Sequence, residues 1–310
     1  MSGLQLLTYL ALIVFVVGIA YKMIKISRMP VHLRWDLYPI PHEKGRNSYG
    51  GSYYEEVDWW TKPAEVTMVG EVKAMAKEIF FIQSMYHHNR PLWIFSFPFH
   101  AGLYLSVGFV VLVYIGAIFT KTGVAVTATA GTWGQIVYYL TLICGLAGAV
   151  LGGLGAVGLF FSRMGKRDMR NSSAVTDYFN LLLLLAVFVT TIWVWIANPS
   201  FGSLRAFVGG LITFSSTGPL PAITVVNMVL AALFLLWLPA THMTHFVGKY
   251  FTYHKVRWED HPNVRGSKLE AAITEALGYK INWSAPHIKK GGTWAEAATS
   301  NDHKESSKDA

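Results

Sequence analysis

Five stretches of this sequence are too long and too apolar for any solvent but lipid. They run approximately from Leu4 to Ile24, Pro91 to Phe119, Thr132 to Phe161, Val175 to Asn198 and Pro219 to Phe251. A helix needs about 20 apolar residues to cross about 30 Å of hydrocarbon. Composition agrees, with 53% of residues hydrophobic, 14% charged and a mean hydropathy of +0.36, far from the balance of a water-soluble domain. The expected fold is an all-α integral membrane protein, a five-transmembrane-helix bundle. No basic residue precedes the first stretch and Lys22, Lys25 and Arg28 follow it, so it reads as a retained anchor rather than a cleaved leader.

The formal net charge of +8 belongs to membrane orientation, not to nucleic acid. Arg28, Arg34, Lys44, Arg46, Lys62, Lys73, Lys77 and Arg90 crowd the first loop. Arg163, Lys166, Arg167 and Arg170 follow the third stretch, and Lys249, Lys255 and Arg257 the fifth. The alternate loops carry only Lys121 and only Arg205. Cations gather on the cytoplasmic side, which places the N-terminus outside and the C-terminus in the cytoplasm of a bacterial or archaeal cytoplasmic (inner) membrane. The chain then divides into a first transmembrane helix (1–26), a cytoplasmic loop (27–90), a four-helix membrane core (91–251) and a cytoplasmic C-terminal arm (252–310). The single cysteine, Cys144, lies mid-span and can supply neither a disulfide nor a cluster by itself. Any iron–sulfur centre must belong to another subunit.

The first loop opens on an aromatic, proline-rich run from Val31 to Pro41. Its second half, Glu65 to His88, spaces Val66, Val69, Val72, Ala76, Ile79 and Phe80 near helical period. That pattern suits an interfacial helix along the inner leaflet, or equally a helix packed in a small cytoplasmic lobe. The third stretch is rich in glycine, including the spacing Gly148-x-x-x-Gly152, which lets helices approach closely or makes room for a flat cofactor. The arm carries Trp258, Trp283 and Trp294 and the segment Asn282 to His287, which suits docking on a partner. Its last dozen residues read as mobile.

Three of the eleven histidines, His100, His242 and His245, fall inside the apolar stretches. An imidazole in lipid is costly unless it meets a metal, a partner or a cavity. His100 lies about nine residues, roughly 14 Å, into the second stretch, and His242 and His245 lie about six to nine residues from the end of the fifth. Antiparallel helices bearing histidines at matched depth suit a haem clamped from both faces. Hydrogen bonding between helices, or a proton path, remains open at this point, although the spans offer no evident acidic partner.

At these residues the sequence resembles the cytochrome b family of the respiratory nitrate reductase gamma subunit, which includes subunits of sulfate-reducer and heterodisulfide-reductase-like membrane complexes. The runs Ser96-Phe-Pro-Phe-His-Ala-Gly-Leu-Tyr104 and Leu235-Leu-Trp-Leu-Pro-Ala-Thr-His-Met-Thr-His-Phe246 carry the resemblance, which covers the five-span core. It implies a haem b near the cytoplasmic leaflet held by His100 and, six residues after Pro239, by His245. His242 is an alternative ligand or a propionate partner. A second haem in such proteins uses positions that are Val110 and Asn227 here, neither of them a ligand, so one haem is expected. Arg90, His88, Arg163 and Lys249 are candidate neighbours of propionate or quinone.

The resemblance implies an electron-transfer subunit, exchanging electrons between menaquinone and a cytoplasmic iron–sulfur subunit resembling that of heterodisulfide reductase. Further membrane or periplasmic cytochrome subunits are conceivable partners, and the chain has no soluble substrate of its own. A haem-free anchor or a small proton-sensing transporter is the alternative.

Overall fold

The computed structural model describes residues 2–29, 40–285 and 288–299. The aromatic run from Val31 as far as Pro39, the end of the Asn282 to His287 segment and the polar terminus after Thr299 lie outside the described residues. The helices are α1 (Gly3–Ser27), α2 (Met68–Phe81), α3 (Gln83–His88), α4 (Arg90–Lys121), α5 (Thr132–Gly165), α6 (Arg167–Asn171), α7 (Val175–Ala197), α8 (Gly202–Ile212), α9 (Ala222–Trp237), α10 (His245–Thr252), α11 (Lys268–Leu277) and α12 (Trp294–Thr299). Among the described residues no strand forms, only isolated bridges. Five helical segments are long and apolar enough to cross a membrane: α1, α4, α5, α7 and Ala222–Ala240.

The chain forms two compact units, Met1–Ala20 with Val72–Thr244, and Tyr21–Glu71 with His245–Ala310. In the first, α4 and α5 run antiparallel at very short range, since Phe99 meets Gly155, Gly102 meets Gly148 and Gly152, and Phe109 meets Gly145. A Cβ on Gly102 would fall on the Gly152 backbone, and one on Gly155 would lie 2.5 Å from the Phe99 nitrogen. The glycine-rich span is therefore used for helix packing, the force available when lipid is as apolar as the side chains. α5 packs in turn on α7 and α7 on α9. Phe99, Ala149, Ala156, Leu159, Leu181, Leu184 and Phe188 fill one half of this bundle. Phe109, Val113, Val194, Phe201 and Leu204 fill the other. Leu6, Leu10, Ile13, Val16 and Val17 of α1 stay exposed, as side chains facing lipid do.

Three local features depart from the sequence reading. The short helix α8 was not expected. Phe201 before it has φ +54°, a conformation supported by Asn198, whose Oδ1 accepts from the Ser200 and Gly202 amides. Arg205 on α8 is buried and donates to the Ser200 carbonyl at 2.5 Å and the Val126 carbonyl at 3.3 Å. The expected helix from Glu65 is broken at Ile82, φ +49°, into α2 and α3. The fifth span is shorter than Pro219 to Phe251. Pro239 has no N–H to donate and its ring crowds the preceding turn, so α9 ends at Trp237 and short 3-10 turns, Leu238–Ala240 and His242–Thr244, follow.

In the second unit, loop residues 40–66 fold around buried Glu43, which accepts from Ser52 Oγ at 2.8 Å and the Tyr53 amide at 3.2 Å. Ser267 caps α11 through the Glu270 amide. The Trp283 and Trp294 rings lie 6.3 Å apart.

Gly155→Leu is expected to destabilise the protein by about 1–3 kcal/mol or more, because its side chain must enter the α4 backbone. Thermal unfolding in detergent measures this, and an unchanged midpoint would show that α4 and α5 do not depend on that contact.

Candidate functional site

His100 sits on α4 with its Nδ1 donating to the Ser96 carbonyl at 2.7 Å, and Ser96 Oγ stands 3.4 Å from the same nitrogen. A carbonyl can only accept, so the proton is on Nδ1 and the Nε2 lone pair is the one suited to a metal. This is the arrangement that orients metal-binding histidines through their other ring nitrogen. Spacings of three and four put His100 on one face of α4 with Trp93, Phe97 and Tyr104. The end of α2 and α3 cover that face. Trp93 Nε1 donates to the Phe81 carbonyl at 2.8 Å, and Tyr104 Oη to the Ile79 carbonyl at 2.7 Å. Phe81 stacks on Phe97, and Phe80 meets Tyr104 edge-on. Aromatic rings and satisfied carbonyls thus flank His100, where the sequence alone suggested either an interfacial helix or a helix packed in a small cytoplasmic lobe.

His242 and His245 do not share one helix. His242 lies in the 3-10 turn after Pro239, while His245 is the first residue of α10, in the second unit, with Lys249 one turn later. The continuous fifth stretch expected from Pro219 to Phe251 is therefore interrupted between the two histidines. His242 faces a carboxylate, its Nε2 being 3.1 Å from Asp177 Oδ1. Arg163 Nη1, from the end of α5, lies 3.7 Å from Asp177 Oδ2 and donates to Ser173 Oγ at 2.9 Å. The Ala174 amide donates to Asp177 Oδ2 at 2.9 Å. One turn along α7, Asn180 is buried and its Oδ1 accepts from Trp237 Nε1 at 2.7 Å.

The structure thus brings Arg163 and His242 together through Asp177, which the sequence reading missed. The expectation that the spans lack an acidic partner is corrected by Asp177. Its signal was available, as a lone carboxylate at the head of an otherwise apolar stretch. Asn180 carried no comparable signal. Arg90 is engaged at the exposed start of α4, donating to Tyr86 Oη at 2.7 Å with its guanidinium 4.5 Å from that ring. His88 Nδ1 is 2.8 Å from the Ser84 carbonyl of its own turn. Lys249 lies 5.9 Å from the Tyr253 ring centre.

Val110 and Asn227, which the sequence resemblance singled out as non-ligand positions, have other uses. Val110 is 64% exposed, on the outer surface of α4. Asn227 is buried and donates to Thr190 Oγ1 at 2.8 Å, Thr191 Oγ1 at 3.1 Å and the Val187 carbonyl at 3.2 Å, tying α9 to α7. Phe109 and Phe201, ring centres 4.8 Å apart, occupy the interior nearby with Val113 and Val194.

The second unit holds a separate polar chain. His42 Nε2 is 2.8 Å from Asp260 Oδ2, Tyr53 Oη also donates to Asp260, and Glu71 Oε1 stands 3.4 Å from His42 Nδ1 and 3.2 Å from His254 Nδ1. The hydrogen bond to Asp260 raises the His42 pKa above 6.5 against the effect of burial. Burial opposes ionisation of Asp260, yet the bonds from His42 and Tyr53 bring its pKa below 3.8. No protein-family model matches the sequence, and a search of curated proteins finds no match.

The two shifts set a pH window. The His42 contribution is complete below 6.5 and is lost as pH rises through its higher folded value, while that of Asp260 is complete above 3.8 and is lost as pH falls through its lower folded value. Hydrogen-exchange protection of residues 40–60 is expected to fall between pH 6 and pH 9, about as much as on His42→Gln at pH 6. A flat profile would sink the assignment.

Proposed function

We propose that this chain is a membrane electron-transfer subunit that carries one haem b, for which His100 and His245 would supply the ligands. It passes electrons between menaquinone in the bilayer and a cytoplasmic iron–sulfur subunit of the heterodisulfide-reductase-like kind. The observation that carries the reading is the His100 Nδ1 bond to the Ser96 carbonyl, which fixes the ring and leaves Nε2 as the nitrogen with ligand character. The choice of His245 rests on its spacing from Pro239 in the sequence. His242 is disfavoured as a ligand because its Nε2 faces Asp177.

One haem rather than two is supported by the uses found for the other positions. Asn227 spends its amide on α7, and Phe109 and Phe201 fill that half of the bundle. The haem supplies reversible one-electron chemistry when bound, and the protein sets its position and surroundings. Ser96 orients His100, and Trp93, Phe97 and Tyr104 share its face of α4. The cation-rich loops support an N-out, C-in orientation, with the docking surface for a soluble redox partner on the cytoplasmic side. The five apolar helices fit a multi-pass membrane protein.

A reduced-minus-oxidised visible spectrum of the purified chain, with a pyridine haemochrome assay, tests the reading. The expected result is one low-spin b haem per chain, lost in His100→Ala and in His245→Ala and retained in His242→Ala. Absence of haem from the wild type would favour an anchor or a transporter. Two haems per chain would overturn the single-haem assignment.

A further inference from the structure

Among the described residues, three buried side-chain atoms make no hydrogen bond: Arg163 Nε, Asp177 Oδ1 and Asn180 Nδ2. All three lie where α5 ends and α7 begins. Asp177 Oδ1 is within ion-pair reach of His242 but outside hydrogen-bond geometry. Buried polar atoms are nearly always satisfied, so a cluster of exceptions points to something that completes it.

The orientation of Asn180 is fixed. The residue is 4% exposed and its Oδ1 accepts from the Trp237 indole, so turning the amide end for end would set NH2 against N–H. Its unpaired NH2 group is therefore a true donor. Asp177 is held by the Ala174 amide, Arg163 Nη1 and His242. The cluster offers two unused donors, Arg163 Nε and Asn180 Nδ2, and one unused carboxylate acceptor.

That set is selective. A phosphate or a haem propionate would accept from both donors but would bring its negative charge against Asp177. A metal ion would suit Asp177 but would meet the Arg163 guanidinium and an amide N–H. A neutral group that both donates and accepts satisfies all three. The hydroxyl of a hydroquinone donates to Asp177 and accepts from Asn180, and the carbonyl of the oxidised ring still accepts from Asn180 and Arg163. The apolar surroundings fit such a head group, since Leu159, Leu181 and Leu184 line this half of the bundle with Phe160, Phe234 and Met243 against them.

We infer that Arg163, Asp177 and Asn180 form a binding site for the head group of a membrane quinol or quinone, with His242 and Trp237 as positioning residues. The inference rests on the proposed function for the identity of the ligand and adds its location. The site lies at the end of the bundle where His100 is found.

The probe is a fluorescent hydroxyquinoline N-oxide with a heptyl tail, titrated into the full chain in lipid nanodiscs and followed by quenching. Haem per chain is measured on the same samples. Saturable binding is expected, weakened about tenfold or more in Asp177→Asn and Asn180→Leu with haem content unchanged. Asn180→Ala, which adds no bulk, repeats the measurement if the leucine variant does not fold. No binding to a haem-loaded wild type would mean that only water completes the cluster, and binding equal to wild type in the variants would place the ligand elsewhere. Either result overturns the site while leaving the haem assignment intact. Failure of the haem assignment itself is read from the spectrum and not from the titration.

Discussion

The contact between α4 and α5 is the constraint on which the rest of the membrane unit depends. Between two apolar helices in lipid no water is displaced, so association comes from close atomic contact and from polar bonds that lipid cannot replace. Glycines at 102, 148, 152 and 155 let the backbones touch. That contact fixes the rotation of α4. Phe99 and Phe109 turn inward, and the stripe of Trp93, Phe97, His100 and Tyr104 turns away from α5. The chemistry assigned to His100 is thus set by glycines that never contact it.

The second constraint is Pro239. A continuous fifth helix would have carried His242 and His245 on one cylinder, one turn apart. The proline ends the helix, and the turn after it lets His242 face Asp177 while His245 begins a new helix. Two histidines three residues apart acquire different surroundings through a backbone break. The pairing of His242 with Asp177 needs that break, because the turn allows an approach to the head of α7.

Much of the fold was legible in the sequence because hydrophobic length is a strong signal in lipid. All five apolar segments appear as helices, and the fifth ends well short of its expected bound. The short helix α8 was not legible, since eleven residues cannot span and its formation depends on the Asn198 turn and the buried Arg205. The break at Ile82 was equally hidden, because a positive φ at an apolar residue has no composition signal and is held by contacts of Trp93 and Tyr104 with the α2 carbonyls. His100, His242 and Arg163 stood out as polar groups near or within apolar runs. Asp177 was as visible and was passed over because it sits at a span boundary. Asn180 emerges only when the Trp237 bond and the unpaired amide are seen together.

The two halves of the bundle differ in what their polar residues do. In the half with Asn227, the amide meets two threonines and a carbonyl, and Ser203 and Thr224 meet each other at 3.0 Å. Each bond joins one helix to another and leaves little polar capacity for a ligand. In the half with Asp177 and Asn180, these polar groups are oriented by neighbours, yet Asp177 Oδ1 and Asn180 Nδ2 make no hydrogen bond. A lipid-embedded protein gains nothing in stability from burying unused donors and acceptors, because their desolvation is not returned. Among the described residues, their confinement to one end of the bundle sets them apart from the polar residues that hold the helices together, and it is there that the proposed ligand would meet them.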